Sequence, residues 1–296
     1  MSVILRGGRF QAVIDPLGAE LKSLYDTQQQ REYMWCGDPA WWNGTAPVLF
    51  PVIGGLNGGF YTYRGRNYEL PSHGFARTKE FEVVRSSGGE AVFRLTGDEA
   101  TRIMYPFDFE LLVSFSLDYS GISVSYRVKS TSSSQSLLFS IGSHPAFRLP
   151  FDGGILEHYY IQFEHSEHTP RHYFSGGCLT GKTGEGFSNS RQIFLTRSIF
   201  DQGPLIFRDV TSREVSICKS RGKNRISVSF DTPHIGIWSK PKGAPFLCIE
   251  PWHGYPDPAD FEDSLEQKPG IITLDPGKTF TTGYQVSILG EEDGFV

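Results

Sequence analysis

The chain has 296 residues, of which 39% are hydrophobic and 14% aromatic, with 33 glycines and 18 prolines; this is enough apolar material for a large core, broken by many turns. A net charge of −5 without any block of lysine or arginine excludes the clustered positive charge that nucleic-acid binding requires. Residues 1–6 lack the apolar run of a signal peptide and no stretch approaches the ~20 apolar residues that span a bilayer, so no membrane partner is expected and a cytoplasmic location is the expectation.

Taken in chain order, the elements are short. A brief helix is expected near Asp38–Trp42. Strand patterns follow at Phe81–Val84, Ala91–Leu95 and Leu111–Leu117, then at Ile122–Val128, where Ile122, Val124, Tyr126 and Val128 share one face of a period-two alternation. The serine-rich run Ser130–Ser136 reads as a hairpin loop. Further strands fall at Leu137–Ile141, Tyr159–Phe163, Glu214–Cys218, Ile226–Phe230, Phe246–Ile249 and Tyr284–Leu289, with a second short helix near Asp260–Ser264. Turn residues such as Asn57, Gly58 and Gly59, or Ser87, Gly88 and Gly89, separate the strands. No segment of a dozen residues holds a helical apolar period, and no linker or repeat divides the chain. The pattern predicts an all-β sandwich or barrel in a single domain over residues 1–296. Cys36, Cys178, Cys218 and Cys248 are widely spaced without a CxxC pair and read as reduced thiols.

Three segments place ionisable side chains among glycine, proline and apolar residues: SHGFAR at 72–77, SHPAF at 143–147 and CIEPWHG at 248–254. Glu250 follows the apolar run Phe246–Ile249 and precedes Pro251, which places it at the end of a buried strand. A carboxyl desolvated there has its pKa raised toward the range of a general base. His144 and His73 each follow apolar or proline-rich stretches and can exchange protons near neutral pH. Each of these residues can also be read as a structural cap or a satisfied core histidine.

In this order, the three segments resemble the signature segments of the aldose 1-epimerase (mutarotase) family, most closely its LacX-like branch. Supporting stretches are GAELKSL at 18–24, PVLFPVIG at 47–54, GIWSKP at 236–241 and KPGIITLDPG at 268–277, so the resemblance covers nearly the whole chain. It implies a large antiparallel β-sandwich (a supersandwich) with only short helices, and an isomerase that interconverts α and β anomers of a free aldohexose. By similarity, Glu250 is the base at the anomeric O1, His144 the acid at the ring oxygen O5, and His73 a hydrogen-bonding partner at the same end. Arg77, Trp252, Phe147 and Asp201 are the candidate substrate-binding residues, with Phe75 and Trp41 as further aromatic candidates. No metal and no cofactor are expected, and a small-molecule sugar is the expected partner.

Two features depart from the family's pattern. Galactose mutarotases carry an Asn-Arg pair after the PVLFPVIG region; the matching stretch here is Gly54, Gly55 and Leu56, so that arginine is missing, and Arg77 is the candidate replacement. The family's sugar-binding aspartate aligns loosely with Asp201. Three other readings stay open. A hexose 6-phosphate epimerase would need an arginine cluster, for which Arg64, Arg66, Arg77 and Arg148 are available. A non-catalytic carbohydrate-binding module would keep the aromatics alone. A facial metal triad could use the two histidines and the glutamate.

Overall fold

The structure, a computed structural model, describes residues 1–186 and 190–290. Two large antiparallel sheets dominate it. The first has nine strands, in the spatial order Ser190–Phe194, Tyr159–Glu167, Glu214–Lys219, Arg225–Phe230, Thr279–Leu289, Gly121–Ser130, Phe109–Leu117, Glu90–Thr96 and Glu82–Ser87. The second has eight: Cys178–Gly184, Arg171–Ser175, Leu205–Phe207, His234–Trp238, Phe246–His253, Ile141–Ser143 and Val48–Leu49 in order, with Ala146–Arg148 also paired to Phe246–His253. A four-stranded meander, Val3–Gly7 through Arg31–Glu32, adds a further layer.

Period-two alternation determines which face of each strand is buried. In Gly121–Ser130, Ile122, Val124, Tyr126 and Val128 are buried while Arg127 and Lys129 are exposed. Leu111, Val113, Ile226, Val228, Val286 and Ile288 of the nine-stranded sheet share one cluster with Leu205, Phe207, Ile235, Ile237, Leu247 and Ile249 of the eight-stranded sheet. Each such side chain contributes roughly 1.5–3 kcal/mol when fully buried. The even-numbered residues of those last strands point the other way, and that second face carries the site described below.

Several expectations need correction. The stretch Asp38–Trp42 forms one turn, in which the Trp42 N–H donates to the Asp38 carbonyl at 2.8 Å, and no helix propagates from it. At the second expected helix, only the 3-10 turn Leu265–Gln267 forms, just beyond it. The α-helix among the described residues, Glu99–Met104, is held by a capping box between Asp98 and Thr101; six residues are too few to show an apolar period. The run Ser130–Ser136 is not a hairpin, because the strands on either side of it, Gly121–Ser130 and Leu137–Phe139, belong to different sheets. Phe81 is buried but precedes its strand, Glu82–Ser87, which is an exposed edge. Finally, Pro251 does not end its strand, which continues to His253.

Candidate active site

Strand register explains why Glu250 and His144 meet. Phe246–His253 pairs with two short strands on one flank: Gly142 faces Trp252 and Ala146 faces Cys248. His144, midway between them, therefore falls opposite Glu250. The ladder is interrupted there, so Pro251 can occupy the strand without losing a needed N–H donor. The two side chains share a face and touch, with His144 Nε2 3.2 Å from Glu250 Oε2. On the other flank Glu250 faces Gly236 and Ile206 lies beyond it. A Cβ on Gly236 would lie 2.5 Å from the Trp252 ring, and one on Gly142 would lie 2.7 Å from that ring's Cδ1. The two glycines thus make room for the indole beside the carboxyl.

His73 reaches the pair from a separate loop. Its backbone adopts φ 65°, and Gly74 follows at φ 70°. The loop is tied to the PVLFPVIG segment by His73 N–H to the Gly54 carbonyl at 2.7 Å, and by the N–H groups of Phe75 and Ala76 to the Phe50 carbonyl. Gly74 packs so closely that a Cβ there would lie 2.2 Å from the Phe50 oxygen. In return, Gly54 N–H donates to His73 Nδ1 at 3.1 Å. A ring nitrogen that accepts leaves the proton of a neutral imidazole on Nε2. Burial, helped by the Arg77 guanidinium, lowers the His73 pKa to about 4, so at neutral pH the ring is an uncharged donor. Its centroid lies 5.7 Å from that of His144.

Burial shifts Glu250 and His144 in opposite directions. It pushes the Glu250 carboxyl well above its ordinary range and, with His73 and Arg77 adding to it, pushes His144 well below the usual imidazole value. Both shifts favour uncharged forms. Burial thus favours a pair that holds a single proton across the 3.2 Å contact. Around it lies a cavity of about 370 Å³, lined by the polar side chains of Ser72, His73, Arg77, His144 and Glu250 together with Trp42, Trp238, Trp252, Phe174, Ile206 and prolines 204 and 256. Its size falls in the range of small-ligand pockets. A polar cluster facing aromatic walls suits a molecule that carries hydroxyls along its edges and apolar C–H faces.

Comparison with known proteins gives the family. Residues 1–287 match the family model described as aldose 1-epimerase. The chain belongs to the aldose 1-epimerase family. Protein LacX (chromosomal) of Lactococcus lactis subsp. lactis is 28% identical over 299 residues, covering 98% of this chain and all of that protein. A solved galactose mutarotase related enzyme from Lactobacillus acidophilus is 33% identical and superposes with a TM-score of 0.91 over 97% of each chain. A galactose mutarotase-like protein from Lactobacillus casei ATCC 334 is 29% identical with a TM-score of 0.90, over 97% of this chain and 100% of the other. The all-β sandwich with only short helices is the fold of these neighbours. Like the rest of the aldose 1-epimerase family, the chain is an isomerase. No helix among the described residues is long and apolar enough to cross a membrane.

Against this epimerase framework, the candidate residues separate clearly. Glu250, His144, His73, Arg77 and Trp252 all line the cavity. Phe147 and Phe75 are buried in the main core, and Trp41 packs beside the Trp35–Phe246 cluster, outside the lining. Asp201 sits in an exposed turn, its N–H donating to the Ser198 carbonyl at 3.0 Å, and is not among the lining residues. Arg64, Arg66 and Arg148 are exposed and also lie outside it. Trp42, Trp238 and Phe174 are cavity residues that the sequence alone did not single out. Trp238 belongs to the GIWSKP stretch, but nothing local marks its face. Trp42 lies in a loop, stacked on His144 with 4.8 Å between centroids and 29° between planes.

Proposed function

We propose that this protein interconverts the α and β anomers of a free, unphosphorylated aldohexose by acid–base ring opening and closure. The observation that carries the reading is the direct contact of His144 Nε2 with Glu250 Oε2, in a cavity lined by both polar and aromatic side chains. Opening the ring needs one proton removed from the O1 hydroxyl and one delivered to O5. The pair holds a single proton between two groups and can do both without a net change in its charge.

Passing that proton from the carboxyl to the imidazole yields a carboxylate and an imidazolium, and hydrogen bonds from sugar hydroxyls favour the charged carboxylate. Glu250 then takes the O1 proton as the C1=O1 double bond forms. The C1–O5 bond breaks and O5 takes the proton from His144. Rotation about C1–C2 turns the aldehyde's other face to O5, and the steps run backward. His73, neutral and donating from Nε2, hydrogen-bonds the sugar at the same end. Arg77 offers its guanidinium to a hydroxyl, and Trp252 and Trp42 offer ring faces to the sugar's C–H surface.

Among the described residues, Arg77 is the sole arginine or lysine in the lining. A phosphate dianion buried on a single guanidinium lacks the cluster that such groups require, which favours the free sugar over the 6-phosphate. The reading is tested by polarimetry on free aldohexoses and their 6-phosphates, with wild-type protein and Glu250→Gln. Wild type is expected to accelerate exchange of the free sugars. The amide, which keeps the shape but cannot take a proton, is expected to lose about 10²–10⁴-fold with an unchanged circular dichroism spectrum. Activity within a few fold of wild type would overturn the assignment, and a preference for the 6-phosphates would overturn the substrate.

A further inference from the structure

The acid–base reading does not use one buried nucleophile of the site. Cys248 is fully buried and lies two residues before Glu250 on the same strand, so its side chain falls on the same face. Ligand atoms of His144, Cys248 and Glu250 all lie within 4.8 Å of one another. We propose that these three side chains form a binding site for a thiophilic divalent cation of the Zn²⁺ type, and that its occupancy switches the site off by engaging both members of the acid–base pair.

The ligand chemistry supports this assignment. One thiolate, one imidazole and one carboxylate make a mixed S, N, O set of the sort Zn²⁺ accepts, whereas Mg²⁺ and Ca²⁺ call for oxygen ligands alone. Binding releases two protons to solvent, that of the Cys248 thiol, which burial holds on the sulfur in the free protein, and that of the His144–Glu250 pair; the two anionic ligands and neutral imidazole then balance the dication, which suits a buried position. Ligands on one tetrahedral Zn²⁺ sit roughly 3.5 Å apart, so the trio needs a contraction of about an ångström, within the reach of a χ adjustment. His144 and Glu250 line the cavity, which gives the ion its route and leaves a fourth coordination position open to water. Cation-bound Glu250 could not take a proton from O1, and cation-bound His144 could not give one to O5.

The inhibitory half of the proposal rests on the epimerase reading; the binding half does not. The test uses the full chain with exposed Cys36 replaced by serine, with and without Cys248→Ala. The probes are Co²⁺, whose thiolate complexes absorb in the near ultraviolet, and Zn²⁺ in titrations of binding and of anomer exchange. The parent is expected to bind one equivalent of Zn²⁺, to show the thiolate–Co²⁺ band, and to lose activity that EDTA restores, with Mg²⁺ inert. Cys248→Ala is expected to keep basal activity within a few fold, to lose the band, and to need at least about tenfold more Zn²⁺ for half inhibition. Absence of Zn²⁺ binding by the parent, or an unchanged band and affinity in Cys248→Ala, would overturn the site. Zn²⁺ bound through Cys248 in a protein without anomerase activity would uphold the site while overturning the epimerase reading. An active protein indifferent to Zn²⁺ would do the reverse.

Discussion

Trp42 shows how one side chain beside the His144–Glu250 pair can set its geometry. Its ring lies on His144, Trp238 meets it edge-on at 5.5 Å, and its carbonyl accepts the Trp35 indole N–H at 2.8 Å. A Cβ on Gly44 would come within 2.4 Å of the Trp42 ring, so that glycine is what lets the ring lie flat. Trp42→Ala is expected to free the imidazole and lower kcat by up to about 10²-fold, the scale of a misplaced reacting group, with Trp42→Phe recovering most of the loss. A rise in KM at unchanged kcat would instead mean that Trp42 contributes to sugar binding alone and does not hold the imidazole. The pair also sets the pH response. Burial drives Glu250 up and His144 down, so the one-proton state is widened at both ends. The free enzyme's kcat/KM is expected to follow a bell whose limbs belong to the pair, gaining a second proton in acid and losing its last one in alkali. His73→Asn is expected to lower activity while keeping both limbs; loss of a limb would move His73 into the proton-transfer pair.

At the scale of elements, the site depends on register across Phe246–His253. Glycines 142 and 236 face this strand on its two flanks, and the Trp252 indole fills the space where their side chains would be. Gly236→Ala is expected to cost about 1–3 kcal/mol, as over-packing does, and to raise KM by displacing the indole; an unfolding midpoint and KM equal to wild type would show that the ring has slack. The same register marks the limit of what the sequence could disclose. Strand faces were legible wherever apolar residues alternate, as in Gly121–Ser130. Glu250, His144, His73, Arg77 and Trp252 were legible because each sits in a short segment of unusual texture. That Glu250 and His144 are opposed depends on pairing between strands about a hundred residues apart, which no local pattern encodes. The sequence placed a strand end at Pro251, but the broken ladder opposite it lets the strand run on. Phe147 has the same local texture as a sugar-stacking ring, yet its face of the strand turns into the core. Trp42 belongs to a loop whose position depends on packing against His144 and Phe246, contacts invisible from composition.

The whole molecule holds several titratable groups whose burial couples its stability to pH. His73 and His234 are both lowered to about 4, with burial the leading cause in each, and His144 is shifted in the same direction. For a base with a depressed native pKa, the unfolded chain binds the extra proton first, so stability is full above about 6.5 and falls as the pH drops toward the native value. Glu250, raised by burial, acts with the opposite sign: its stabilisation is complete below the ordinary carboxylate pKa and is lost as pH rises. His234 allows the histidine contribution to be isolated, because it lies outside the cavity lining, is 6% exposed, and accepts the Asp209 N–H on Nδ1 at 3.2 Å. Between pH 6.5 and 5 one such histidine withdraws about 2 kcal/mol. Urea unfolding at pH 7 and pH 5 is therefore expected to show a drop in stability that is smaller by about that amount in His234→Gln than in wild type. Anomerase activity at pH 7 is expected to be retained, since the variant leaves the cavity intact. An equal drop in both proteins would mean that His234 keeps an ordinary affinity for protons in the fold, and that the acid sensitivity comes from other groups, His172 among them.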